Sequence, residues 1–149
     1  MSRSGYVDEC DEQWMFALHR GRVASTIRGK KGQAFLRECL AAMDALPEKK
    51  LTANALEQDG SFCTMGTVGR ARGLDMSKVD PEDPESVAAL FGISDTLARE
   101  IAYLNDEGFA RRKVTTSHGR EYFLRIEGPE ERWERMRRWV QSQIRQEAA

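Results

Sequence analysis

Cysteine and histidine are scarce in this chain of 149 residues, and long apolar runs are missing altogether. The three cysteines, Cys10, Cys39 and Cys63, are odd in number, far apart and flanked by no CxxC or HxxxH pattern. That pattern excludes a disulfide framework and leaves zinc without a ligand set, so reduced thiols and no metal or cofactor are expected. No stretch reaches the ~18 apolar residues of a membrane span, and no membrane partner is expected. Residues 1–11 contain acids and no apolar segment, unlike a signal peptide, which points to a cytoplasmic setting. A net charge of −1 excludes a uniformly basic nucleic-acid binder.

What is present is a chain of ordinary globular make-up, 40% hydrophobic and 32% charged, long enough to bury one core without covalent support. One unit spanning residues 1–149 is expected. Its charges are unevenly placed. Residues 13–37 carry Arg20, Arg22, Arg28, Lys30, Lys31 and Arg37 with no carboxylate, whereas residues 75–85 carry Asp75, Asp80, Glu82, Asp83 and Glu85 against Lys78 alone. Such polarity either steers a charged partner or makes a solvated surface.

Two helices are expected over 11–46. Asp8, Glu9, Asp11 and Glu12 suit a first turn near Asp11, where the helix dipole favours acids, and Gly21 offers a point at which the helix could split. Trp14, Leu18, Val23 and Ile27 are its apolar residues, without a clean stripe. Leu36, Cys39, Leu40 and Met43 then repeat at helical spacing, Cys39 as core, and Pro47 stops the run. Between the two lies Arg28-Gly29-Lys30-Lys31-Gly32. It is either a solvated basic loop or an anion site, because lysines at a helix N-terminus oppose its dipole unless an anion reverses the sign.

Residues 51–65 read as a hairpin turning at Asp59-Gly60, a pair suited to the positive φ angles of a type I′ turn. The glycines and arginines of 66–73 match no phosphate-loop pattern, so close packing or helix termination accounts for them. In 84–126, Asp83 caps a helix opened by Pro84, Gly92 ends it, and Ser94 caps the next. Leu97, Ile101 and Leu104 form the second helix's buried face, with Asp95, Thr96, Arg99 and Tyr103 outward. A ribbon follows, turning at Ser117-His118-Gly119, with Tyr122, Leu124 and Ile126 on one face and Arg111, Arg112, Lys113, His118 and Arg120 around its first strand and tip. The order is that of a winged helix-turn-helix, in which Arg99, Arg111, Arg112, Lys113 and Arg120 would meet phosphate. An acid at the leading end of the second helix opposes base reading, and a charged edge hairpin also discourages strand pairing between molecules.

A final helix over 129–147 starts at Gly128-Pro129 with Glu130 and Glu131, and Trp133, Met136, Val140 and Ile144 form its stripe. Glu131 with Arg135 and Glu134 with Arg138 have ion-pair spacing. Trp139 falls off the stripe, either as core or, with Arg135 and Arg138, as a partner surface.

The run VASTIRGKKGQAFLRECLAAMDALPEKKL, then DGSFCTMGTVGRARGLDM, DPEDPESVAALFGI, LNDE and PEERWERMRRWV resemble a family of small uncharacterised accessory proteins of proteobacterial phages and prophages. The resemblance covers most of the chain and implies a phage accessory role in a bacterial host, with no activity to carry to any residue. Residues 108–128 depart from the family's pattern, which makes the ribbon an addition to it.

One catalytic grouping can be assembled, Cys63 with His118 and Asn105 or Asp106, but it lacks any nucleophile signature, and Asn105-Asp106 reads more simply as polar residues tying off a helix before Gly108. The expectation is a mainly α (α+β) protein, a helical domain with one or two small β-hairpins, that is not an enzyme. It is expected to act as a regulator or inhibitor by binding DNA, RNA or a nucleoprotein. The rivals are a protein-only inhibitor of a host defence factor, its acidic segment mimicking phosphate, and a Cys63-dependent enzyme.

Overall fold

Apolar residues at helical spacing, punctuated by side-chain caps and glycines, set the element order. The computed structural model describes residues 3–4, 13–108, 111–125 and 127–146. In these residues the fold is mainly α, with six helices and two separate two-stranded antiparallel sheets.

Helix α1, Gln13–Arg28, runs unbroken through Gly21. Val23 and Ile27 are buried, whereas Leu18 is 56% exposed and so takes no part in an apolar stripe. The acids at 8–12 lie outside the described residues. Helix α2, Lys30–Asp44, begins one residue after α1 ends. The expected loop over 28–32 is therefore a single residue, Gly29, and Lys30, Lys31 and Gly32 form the first turn of α2. The tight corner depends on Gly32, where a Cβ would run into the Thr26 carbonyl oxygen. Phe35, Leu36, Cys39, Ala42 and Met43 bury one face of α2, each large apolar side chain contributing about 1.5–3 kcal/mol.

The first hairpin is shorter than expected: β1, Glu57–Gln58, pairs with β2, Ser61–Phe62. Asp59 at φ 52 and Gly60 at φ 79 form the turn. Residues 51–56 are not strand. Their amides go elsewhere, Leu51 N–H to the Pro129 carbonyl at 3.0 Å and Thr52 N–H to that of Phe62 at 2.8 Å. Thr64 and Met65 already belong to α3, Thr64–Arg72. Within it a Cβ on Gly66 would meet the Leu56 carbonyl oxygen and one on Gly69 the Met76 sulfur, so both glycines serve close packing.

After a 3-10 turn, Met76–Lys78, come α4, Pro84–Phe91, and α5, Asp95–Glu107. Asp83 caps α4 by accepting from Ser86 N–H, Gly92 ends it at φ 71, and Ser94 accepts from Leu97 N–H to start α5. Helix α5 packs against α1, α3, α4 and the last helix, α6, Pro129–Gln143, which makes it the central element. Leu97 and Ile101 are buried as expected, and so are Glu100, Asn105 and Asp106. A recognition helix needs an open face. In α5 that face is largely covered.

The second ribbon pairs β3, Arg111–Thr115, with β4, Glu121–Arg125, in the register Arg111 to Arg125 through Thr115 to Glu121. It packs chiefly on itself rather than along α4 or α5. Tyr122 is 43% exposed, which corrects the expected apolar face. The side chain of Leu124, and Ile126 altogether, lie outside the description. The elements of a winged helix are thus present in order, but not with a free recognition helix.

Helix α6 buries Arg132, Met136 and Val140, and half-buried Trp133 donates its indole N–H to the Met43 carbonyl at 3.1 Å. The expected pairs of Glu131 with Arg135 and Glu134 with Arg138 are not formed. Arg135 instead grips Glu127, its Nε 2.5 Å from Oε2, and donates to the Leu104 and Asn105 carbonyls. Both carbonyls belong to the last turn of α5; Leu104 also accepts from the capping Gly108 N–H at 3.2 Å, and the Arg135 guanidinium supplies a donor to the Asn105 carbonyl.

Candidate anion-binding site

The junction of α1 with α2 lies beside the start of α5. Thr26 Oγ1 and Ser94 Oγ are 2.6 Å apart and tie the two together. Around this bridge opens a cavity of about 300 Å³ lined by Thr26, Gly29, Lys30, Lys31, Gly32, Ile93, Ser94 and Leu97. Two helix N-termini therefore border one hollow, that of α2 and that of α5. Ser94 caps α5, whereas no side chain caps α2, whose N-cap is Gly29. Lys30, Lys31 and the adjoining Arg28 are exposed and form no ion pair among the described residues. Each lysine at this end opposes the dipole by about 0.3–1 kcal/mol. A phosphate or carboxylate in the hollow would reverse that sign and accept from the first-turn amides.

The remaining basic residues are placed less favourably. Arg99 is half-buried, 3.7 Å from Asp95 and donating to the Ser4 carbonyl at 3.3 Å, so it is not an open phosphate contact. Lys113 pairs with Glu121 across the ribbon at 2.9 Å. Arg120 and His118 are exposed at its tip. The Arg111 and Arg112 side chains lie outside the description. Of the expected partner surface, Arg138 is exposed, Trp139 packs half-buried against the core, and Arg135 is engaged as described above.

The acidic segment has local roles. Asp75 accepts from Ser77 N–H, Asp80 from Glu82 N–H, and Asp83 from Ser86 N–H. The Ser77 and Ser86 hydroxyls and amides hold the Asp75 and Asp83 carboxyls below the usual carboxylate range. A larger cavity of about 440 Å³ lies between this segment and the first hairpin, and with Glu57 and Asp59 and no cation in its lining it does not suit an anion.

A second polar cluster, unforeseen in the sequence, is buried at the far end of α5. The Arg3 guanidinium meets Asp106 in a two-pronged contact, Nε to Oδ2 at 2.8 Å and Nη2 to Oδ1 at 2.7 Å. Asp106 Oδ1 also accepts from Asn54 N–H at 3.0 Å and from the Asn105 amide at 2.9 Å. Asn105 accepts in turn from Thr64 N–H and Oγ1, and donates to the Thr52 carbonyl. Burial raises the Asp106 pKa, but Arg3, the Asn54 N–H and the Asn105 amide together outweigh it and leave the carboxyl below its ordinary value. Asn105 and Asp106 are thus more than a helix-end tie. Asn105 joins α5, α3 and the 51–56 loop, which no local pattern revealed.

Cys63 is buried beside this cluster and caps α3, its sulfur accepting from Gly66 N–H at 3.3 Å and from Arg3 Nη1 at 3.5 Å. His118 sits at the ribbon tip with no hydrogen bond to Cys63, so the supposed nucleophile and base are not joined. Cys39 is a core thiol whose pKa burial pushes up.

The chain matches no family model, no curated protein and no solved structure. Among the described residues no group of three or more His, Cys, Asp or Glu side chains is placed to hold a metal, and no helix is long and apolar enough to cross a membrane.

Proposed function

We propose that this protein acts by binding, not catalysis, and that its partner is nucleic acid or a nucleoprotein held through phosphate at the hollow between α2 and α5. The observation that carries this reading is the meeting of two helix N-termini in one cavity beside Arg28, Lys30 and Lys31, cations that no carboxylate of the described residues neutralises. Arg120 at the exposed ribbon tip would add a peripheral backbone contact. The resemblance to phage and prophage accessory proteins suggests the setting, a regulator or inhibitor in an infected bacterium.

The test compares anions at matched ionic strength. Phosphate and sulfate should raise the melting temperature more than chloride, and the increment should vanish in Lys30→Ala/Lys31→Ala. Because sulfate also stabilises proteins by exclusion, the decisive quantity is the difference between native protein and variant. An equal rise in both would remove the site.

A further inference from the structure

We propose that this protein associates with itself, the outer face of α1 in one copy docking into the groove between the first hairpin and the 75–85 segment of a second copy. Neither Lys30 nor Lys31 takes part, so the contact is separate from the phosphate hollow.

Both surfaces are left open by the fold, and their chemistry is complementary. The groove, about 440 Å³, has an apolar floor of Leu56, Met76, Val79 and Pro81, and its rim carries Glu57 and Asp59 with no cation. Both rim carboxylates are exposed and form no ion pair among the described residues. Residues 75–85 add Asp75, Asp80, Glu82, Asp83 and Glu85 against Lys78 alone. Such a groove calls for an occupant that is apolar at its centre and cationic beside it. Helix α1 has that character on the face it turns away from the core. Leu18 and Arg22 are one turn apart on that face, with Gly21 and Ser25 beside them, and all four are exposed. Leu18, at 56%, is the most exposed large apolar side chain among the described residues. Arg22 forms no ion pair there, and residues 13–37 hold no carboxylate for the rim to repel. At Gly21 nothing stands within 4 Å of a Cβ position, so the surface beside Leu18 is low and a partner can approach the backbone. Leu18 is then the anchor on the apolar floor, and Arg22 meets the Glu57 and Asp59 carboxylates, a helix laid into a groove. Within one chain α1 packs on α2 and α5 and lines no part of the groove, so its outer face can fill the groove only of another copy. The contact joins two different patches, and it is therefore made twice in a closed dimer or repeated in a ring or filament.

The test follows the mass of the full chain by sedimentation velocity as its concentration rises, in about 0.01 M and about 1 M salt, where charges act over roughly 30 Å and 3 Å. The native protein should gain mass above the monomer at low salt and lose much of that gain at high salt. Arg22→Glu and Glu57→Arg each set like charges against one another, and each should raise the Kd of association at least about tenfold. Mixed together, the two variants should associate again, because the reversed helix of one faces the reversed groove of the other and the two unaltered surfaces also pair. Leu18→Ser should weaken association at both salt concentrations. If a reversal changes the circular dichroism, Arg22→Gln and Glu57→Gln replace it, each expected to weaken association at low salt. A native protein that stays monomeric throughout, an association that the variants leave unchanged, or a mixture of reversed variants as monomeric as each alone, overturns the proposal.

Discussion

Asn105 and Asp106 show how a pair of short polar residues at a helix end can organise a protein. Their side chains hold Arg3, Asn54, Thr64 and Thr52, while the Asn105 carbonyl receives Arg135 from α6. Removing one partner of a buried ion pair leaves an uncompensated charge, so Arg3→Ala should cost about 3–5 kcal/mol in denaturant unfolding. The pH dependence has a definite sign. Since the folded-state pKa of Asp106 lies below its unfolded value, the pair's contribution is complete above the ordinary Asp pKa of about 3.9 and is lost as pH falls through the folded value. Stability should therefore decline with acid below about pH 4, and less steeply in Asp106→Asn. Cys63→Ser should keep the α3 cap and change stability little, whereas Cys63→Val, which cannot accept from Gly66 N–H, should cost roughly 1 kcal/mol. Little of this cluster was legible beforehand. Asn105-Asp106 marks the end of a helix locally, but the partners it holds in other elements lie 30 to 103 residues away, beyond any spacing rule.

At the scale of elements the sequence was far more informative, because caps and turns are local. Asp83-Pro84, Gly92 and Ser94 bracket α4 and α5 as their chemistry dictates, and Asp59-Gly60 turns the first hairpin. The strands are shorter than the sequence suggests, since the Leu51, Thr52 and Asn54 amides bond to the Pro129 and Phe62 carbonyls and the Asp106 carboxylate rather than to a continued ladder. Glycines give a paired test. Gly21 lies in the interior of α1 with nothing near the position of a Cβ, so Gly21→Ala should stabilise by about 0.5–1 kcal/mol. Gly32 is the same residue type in another helix, with the Thr26 carbonyl in the way, and Gly32→Ala should destabilise by at least 1–3 kcal/mol. Thermal melts of the two variants would check both signs. The basic run at 28–32 reads as a solvated loop or an anion site; with Lys30 and Lys31 in the first turn of α2, the loop is reduced to Gly29.

For the whole molecule, the order helix, turn, helix, ribbon suggested a winged helix, and that order is present. Its packing differs because α5 is also wanted by α1, α3 and α6. Arg20 from α1 reaches Glu100 at 2.8 Å, and Arg99 is engaged with Asp95 and Ser4, so the side of α5 that would face a duplex is occupied. Sequence period reveals which residues of a helix are apolar, not how many neighbours will claim its polar side. Of the residues expected to meet phosphate, Arg28, Lys30 and Lys31 beside the α2–α5 hollow and Arg120 at the ribbon tip are exposed and form no ion pair among the described residues. The most direct measurement of the hollow's role is the salt dependence of duplex binding by native protein and by Lys30→Ala/Lys31→Ala. Each phosphate contact contributes a slope of about 0.9 in log affinity against log salt, so loss of two lysine contacts should lower the slope by about 1.8 and weaken binding at low salt. Identical slopes and affinities for the two proteins, or no binding by the native protein at low salt, would contradict the account.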